Sequence, residues 1–235
     1  MPKGKLYIIP IPISEDTLEK VLPNFNHEIT KHLRCFVVEK IKTARQFLRK
    51  MDRDFPIDDS VFYEQDKHQD YSFHADVIKK LNDGESIGLL SESGYPGIAD
   101  PGSKIVALAH ENKCQVIPLI GPSSILLALA ASGMNGQGFT FHGYLPKSVN
   151  EKIEKIKELN QQVLRNGFSQ IFIETPYRNE TMFADLIKYS DDVIKLTIAY
   201  DISGSSEKIR TKTIAEWKKQ NFKFDKLPCV FVLGS

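Results

Sequence analysis

Residues 86–124 read SIGLLSESGYPGIADPGSKIVALAHENKCQVIPLIGPSS, and this stretch decides the fold. Ile87, Leu89 and Leu90 predict a buried strand, and the Ser91 to Gly102 loop after it holds three glycines and two prolines. A parallel α/β sheet presents its ligand at such a position. A helix over SKIVALAHENK and a strand over CQVIPLI follow. A second turn, Ile120 to Ser124, ends its strand in Gly-Pro and places Ser123 and Ser124 to cap the next helix. Either turn alone reads equally as an ordinary connection, because glycine and proline are common in turns. Two in succession point to one crevice lined by backbone N–H groups.

On the N-terminal side, Lys5 to Ile9 predicts a strand that must end at Pro10-Ile11-Pro12, since proline cannot continue a central strand. Asp16 or Thr17 is placed to cap a short helix ending before Pro23. Leu33 to Val38 is a strand, and Ile41, Ala44, Phe47, Leu48 and Met51 form the apolar stripe of a helix. Val61 to Tyr63 is a short strand. Phe73, Val77, Ile78 and Leu81 mark a helix stopped by Asn82-Asp83-Gly84.

On the C-terminal side, Phe139 to Tyr144 leads into Leu145-Pro146-Lys147, which reads as a hinge. Ile153 to Leu164 carries a long charged helix, and Gln170 to Ile173 a strand ending in Glu174-Thr175-Pro176-Tyr177-Arg178. Met182, Phe183, Leu186 and Ile187 stripe another helix. Val193–Ile202 and Glu207–Ile214 read as a hairpin across Ser203-Gly204-Ser205-Ser206; Trp217 sits on a brief helix and Cys229–Leu233 closes as a strand. The expected class is therefore α/β: two α/β lobes, residues 1–144 with a mainly parallel sheet and residues 145–235 with a mixed sheet, and a cleft between them.

Composition bounds the function. The 235 residues are 41% hydrophobic, enough for a core, and no apolar run approaches the ~20 residues of a membrane span. The N-terminal apolar run is too short for a secretory signal, so the expectation is a cytoplasmic protein. Cys35, Cys114 and Cys229 lie far apart in apolar runs and read as buried thiols, and the six histidines show no ligand spacing, so no metal is expected. Net charge is +1 but polarised: Lys31 to Arg53 holds eight basic residues against two acids, and Asp54 to Glu85 nine acids against three lysines. A basic face suits an anionic substrate such as RNA, although solvated helix faces explain the same pattern. A P-loop and a GxSxG nucleophile elbow are absent, and the first strand is followed by Pro-Ile-Pro instead of GxGxxG.

The run GYPGIADPG followed by Pro118-Leu119-Ile120-Gly121-Pro122-Ser123 resembles the tetrapyrrole (corrin/porphyrin) methylase superfamily. Within it the chain looks like the small-subunit ribosomal RNA cytidine 2′-O-methyltransferase branch. Glu174-Thr175-Pro176-Tyr177-Arg178 resembles that branch's E-[ST]-P-[HY]-R, and Lys5 to Pro12 its opening strand. The resemblance implies a homodimer that binds S-adenosyl-L-methionine in the cleft. It places Pro10, Gly94, Tyr95, Pro96, Ile98, Ser123, Ser124 and Ile125 on the cofactor, with Ile173, Thr175 and Pro228 near its adenosine. Methyl transfer to a ribose hydroxyl needs a proton acceptor but no metal. Glu174 is the candidate base with Arg178 orienting it, and a Glu–Arg pair bracing the turn is the competing reading.

Departures fall on the acceptor side. Where the branch has A-E-D-T-R this chain has Val38-Glu39-Lys40-Ile41-Lys42, where it has H-N-E this chain has Gln65-Asp66-Lys67, and its R-E-L-T-K becomes Tyr200-Asp201-Ile202-Ser203-Gly204. Glu39, Lys42 and Arg45 remain the expected substrate-binding residues. Three functions follow as alternatives: a methyltransferase acting on ribosomal RNA, one acting on a tetrapyrrole or a protein, and a catalytically silent binder of the cofactor.

Overall fold

The computed structural model describes residues 2–14, 17–65 and 72–235, which form two compact units, Met1–Ser123 and Ser124–Ser235. The first unit runs β1 (Lys5–Ile8), α1 (Leu18–Val21), α2 (Asn24–Thr30), β2 (Cys35–Val38), α3 (Ile41–Met51), β3 (Val61–Glu64), α4 (His74–Asn82), β4 (Ile87–Leu90), α5 (Ser103–Glu111) and β5 (Gln115–Pro118). Its five strands are all parallel, in the order β3-β2-β4-β1-β5. Residue by residue, Leu6 pairs with Ile87 and Val116, so the expected central strand β4 lies beside β1.

Chain direction fixes the two faces. From β1 the chain moves to β2, and from β4 it moves the opposite way to β5, so right-handed crossovers put the following helices on opposite faces. Ile9, Phe36, Val38, Phe47, Leu48 and Leu90 make the core under α1–α3. Leu6, Cys35, Val37, Val77, Leu89 and Ile105 make the core under α4 and α5. The carboxyl ends of β1 and β4 thus form a topological switch point, where open α/β sheets bind ligands.

The second unit runs α6 (Ser124–Ser132), β6 (Phe139–Tyr144), α7 (Val149–Asn166), β7 (Ser169–Glu174), α8 (Asn179–Tyr189), β8 (Lys195–Tyr200), β9 (Lys208–Thr213), α9 (Ile214–Trp217) and β10 (Cys229–Gly234). The sheet is mixed, in the order β6-β7-β10-β8-β9, with β6 and β7 parallel and the other pairs antiparallel. The hairpin expected across Ser203–Ser206 is present, Tyr200 facing Lys208. One face packs under α7–α9 around Phe172, Phe183, Tyr200, Trp217 and Phe231, and the Trp217 indole N–H donates to the Leu196 carbonyl at 2.9 Å.

The division between units falls about twenty residues earlier than the 144/145 hinge read from sequence. Helix α6 buries Ile125, Ala128 and Leu129 against Ile171, Ala199 and Val230 of the second sheet, and β6 pairs with β7. Both elements therefore belong with the C-terminal half. Thr17 precedes α1 without a side-chain cap, and Asp16, the other candidate cap, lies outside the described residues, as do Asp66 and Lys67. Cys35, Cys114 and Cys229 are free and buried, as expected; burial pushes the Cys35 thiol up to about 12 and the Cys229 thiol higher still.

Candidate functional site

Three loops meet at the carboxyl ends of β4, β1 and β5. Pro10 ends β1's run, and Ile11 exchanges two backbone hydrogen bonds with Gly94, at 2.9 and 3.0 Å. The Tyr95 hydroxyl donates to the Leu119 carbonyl at 2.9 Å and accepts from the Gly121 N–H at 2.8 Å. Gly121 lies so close to Pro10 that an added Cβ would meet the ring at 2.3 Å. Asn26 donates to the Ile120 carbonyl at 2.7 Å. The first unit therefore brings Pro10, Gly94 and Tyr95 together with the turn leading to Ser123. Tyr95 takes part as a strut whose hydroxyl is fully engaged.

The Ser91–Gly102 loop coils tightly. Gly94, Gly97, Ala99 and Gly102 all have left-handed backbone, at φ 68, 82, 64 and 136°, and the Gly97 N–H donates to the Pro101 carbonyl at 3.1 Å. Glycine adopts this conformation without strain, which explains three of the four positions, whereas Ala99 is held there at a conformational cost. A Cβ on Gly94 would meet nothing nearer than 4.0 Å, so bare backbone faces open space there. Ile98, 49% exposed, and Ile120, 75% exposed, are apolar side chains left on the surface of the same loops. Bare peptide groups beside exposed aliphatic surface fit a ligand with an apolar body and a few hydrogen-bonding groups.

Beside this loop lies a polar network that the sequence reading missed. Glu92 accepts from Lys40 Nζ at 2.5 Å and from Thr43 Oγ1 at 3.0 Å, and its backbone N–H donates to Glu39 at 3.3 Å. Asp100 hangs from the same loop. Burial, then the negative charges of Glu39 and Glu92, lift its pKa to about 6 against a hydrogen bond from Ser91. Asp100 is thus a carboxyl poised to change protonation near neutral pH. Its only sequence signal is a carboxylate beside Gly and Pro in a ligand loop. Lys42 and Arg45 stand exposed on α3, Arg45 lying over the Phe62 ring at 5.3 Å. The Glu64 carboxylate accepts from the Ile41 N–H at 2.7 Å and caps the N-terminus of α3.

The second unit gathers its own set. Glu174 is buried at the end of β7, where Oε1 accepts from the Thr175 N–H at 2.7 Å and from its hydroxyl at 3.3 Å, while Arg178 Nη2 stands 2.9 Å from Oε2. Oε1 is therefore engaged within the turn, while Oε2 is buried beside the Arg178 guanidinium without a hydrogen bond, so the pair braces the turn and still leaves one carboxylate oxygen unsatisfied. Cys229 pairs with Glu174, which sets Pro228 beside the Ile173–Thr175 segment, and Asn179 donates to the Leu227 carbonyl at 3.0 Å. Ser124 opens α6, whereas the Ile125 side chain is packed into the core. Among the described residues no cluster of His, Cys, Asp or Glu has the geometry to hold a metal, and no helix is long and apolar enough to cross a membrane.

The family model for tetrapyrrole (corrin/porphyrin) methylases matches residues 26–218. The chain is 28% identical over 220 residues to the ribosomal RNA small subunit methyltransferase I of Vibrio cholerae, covering 92% of this chain and 72% of that protein. The protein of the same name from Mesorhizobium japonicum is 30% identical over 138 residues, 59% of this chain and 46% of that one. The crystal structure of the methyltransferase CobJ superposes with a TM-score of 0.62 at 13% identity, covering 100% of this chain and 95% of that chain.

Proposed function

The chain belongs to the tetrapyrrole (corrin/porphyrin) methylase family, and from that premise we propose that it transfers a methyl group from S-adenosyl-L-methionine to a ribose 2′-hydroxyl of ribosomal RNA. The observation that carries the reading is the three-loop cluster at the β1/β4 switch point. It offers bare glycine backbone between exposed Ile98 and Ile120, a surface suited to the neutral, apolar parts of such a donor. Pro10, Gly94, Tyr95, Pro96, Ile98 and Ser123 are the proposed donor contacts of the first unit, Tyr95 acting by fixing the loops. Ser124, Ile125, Ile173, Thr175 and Pro228 are those of the second, Ile125 acting through its backbone because its side chain is in the core.

Bound S-adenosyl-L-methionine supplies an electrophilic methyl on a sulfonium, with a neutral thioether as leaving group. The protein's share is alignment, exclusion of water and removal of the hydroxyl proton. Asp100 is the proposed proton acceptor, its pKa of about 6 leaving it ionised yet basic at neutral pH. Glu174 and Arg178 hold the β7 turn in register, a positioning role. Glu39, Lys42 and Arg45 are the proposed RNA contacts, supported by the basic run from Lys31 to Arg53. The names of the Vibrio and Mesorhizobium relatives support RNA as acceptor. The resemblance supports a homodimer, and a ribosomal substrate supports a cytoplasmic setting.

The test is incubation with methyl-labelled S-adenosyl-L-methionine and the RNA, protein and small-molecule fractions of a cell. Label is expected in small-subunit ribosomal RNA, as alkali-resistant 2′-O-methylnucleotide, with RNA affinity falling as salt rises. Label confined to protein or to small molecules would replace the RNA reading with one of the other two acceptors. Label in no fraction, with the donor still bound, would leave a silent binder.

A further inference from the structure

A cavity of about 570 Å³ opens beside the loop cluster, entirely within the first unit. Its apolar walls are Ile11, Ile13, Leu18 and Phe47; Glu19, Lys20, Gln46 and Lys50 stand at its mouth, and Glu92, ion-paired to Lys40, lines it from the β4 loop. None of the proposed donor contacts lines it. We propose that this cavity takes one unstacked nucleotide of the RNA strand that carries the acceptor ribose. The inference rests on the RNA reading above and names where that substrate is held.

Position is the first argument. Ile11 is at once a wall of the cavity and the partner of Gly94 in the loop bridge, so the cavity adjoins the loop assigned to the methyl donor. A nucleotide seated there has its ribose next to that loop, whose Glu92 and Ser93 line the cavity while the proposed donor contacts begin at Gly94. Size is the second, since the volume lies within the ~300–1,000 Å³ of small-ligand sites and admits a base with its sugar.

Chemistry is the third. Specific RNA recognition splays bases out of the stack, covers their faces with apolar surface and bonds their edges. The aliphatic walls and Phe47 supply the cover. Gln46 is exposed at the rim with both a donor and an acceptor, the pair that a base edge requires. Charge is the fourth: α3, which forms one wall, carries Lys42, Arg45, Arg49 and Lys50 and no acid between Ile41 and Met51. These four cations outweigh the cavity's Glu19, and its Glu92 is already paired with Lys40, so a polyanion is the complementary occupant, its phosphates tracking the outer row of α3 while one base turns inward. The wall is pre-organised, because Lys40 and Thr43 at the start of α3 are tied to Glu92 of the β4 loop.

Gln46→Trp fills the mouth from an exposed position, and Lys20→Ala removes a phosphate contact from an exposed position. Both are measured alongside the unaltered protein for donor affinity by calorimetry, for affinity to a single-stranded ribosomal RNA fragment, and for label transfer. A fragment carrying 4-thiouridine is cross-linked and the joined peptide identified by mass spectrometry. Expected are cross-links within residues 11–20 or 43–50 and a roughly tenfold loss of RNA affinity in Gln46→Trp with donor affinity unchanged. The salt dependence in Lys20→Ala should also be shallower by about one contact. Wild-type RNA affinity in Gln46→Trp, or cross-links confined to other segments, overturns the pocket and leaves the RNA reading standing. Absence of RNA binding and label transfer by the unaltered protein overturns the RNA reading, and the pocket with it.

Discussion

Asp100 is, among the described residues of the first unit, the carboxyl whose protonation its surroundings alter most. Its pKa is raised from 3.8 to about 6, so the folded chain binds this proton more tightly than the unfolded chain. Stability is therefore lost as pH rises from 3.8 towards 6 and stays lost above it. Half-exposed as it is, the group contributes on the order of 1 kcal/mol after solvent screening. Asp100→Asn should regain about that much at pH 8 and nothing at pH 3, read by urea unfolding at the two pH values, while label transfer falls. An equal gain at both would show that the carboxyl's charge is not the destabilising element. In the sequence Asp100 passes as one more turn residue. Burial and then the charge of Glu39, at the end of another strand, set its environment, a proximity that no local spacing encodes. Glu174 illustrates the converse: its spacing to Arg178 was legible, and the structure turns that spacing into a buried ion pair.

Among elements, the β1 and β5 loops meet at a close joint. Gly121→Ala drives a methyl into the Pro10 ring, a rigid neighbour that cannot turn aside, and should cost about 1–3 kcal/mol. Thermal unfolding should show it as a fall of several degrees, with Gly136→Ala as the control, since a Cβ there meets nothing within 4 Å. Equal melting temperatures for the two variants would mean that the loop joint is slack. Strands and helices were largely legible because their periodicities are local: β4, β6, the β8–β9 hairpin and the stripe of α3 sit where the apolar pattern puts them. The allegiance of α6 was not. A helix as apolar as Ser124–Ser132 declares that it is buried without declaring which sheet covers it, and its partners on β7, β8 and β10 are remote in sequence.

At the scale of the whole molecule, alternating strand and helix in one half and adjacent strands in the other announced a parallel sheet followed by a mixed one, and both are present. Strand order was not readable, because parallel neighbours are joined through crossovers whose length does not reveal which neighbour they reach. The proposed donor makes a global prediction. At 100 times its dissociation constant, S-adenosyl-L-methionine should stabilise the folded chain by ~2.7 kcal/mol, a rise in melting temperature of about 5–10 °C. An unmoved transition in scanning fluorimetry would count against donor binding altogether.

The three buried thiols described above give the chain a chemical clock. With Cys35 and Cys114 in the first unit and Cys229 in the second, and with Cys35 and Cys229 held un-ionised by burial, an alkylating reagent meets no reactive sulfur until a unit opens. Each cysteine's rate of modification then times the opening of its own half, so one native sequence reports on both halves without any engineered label.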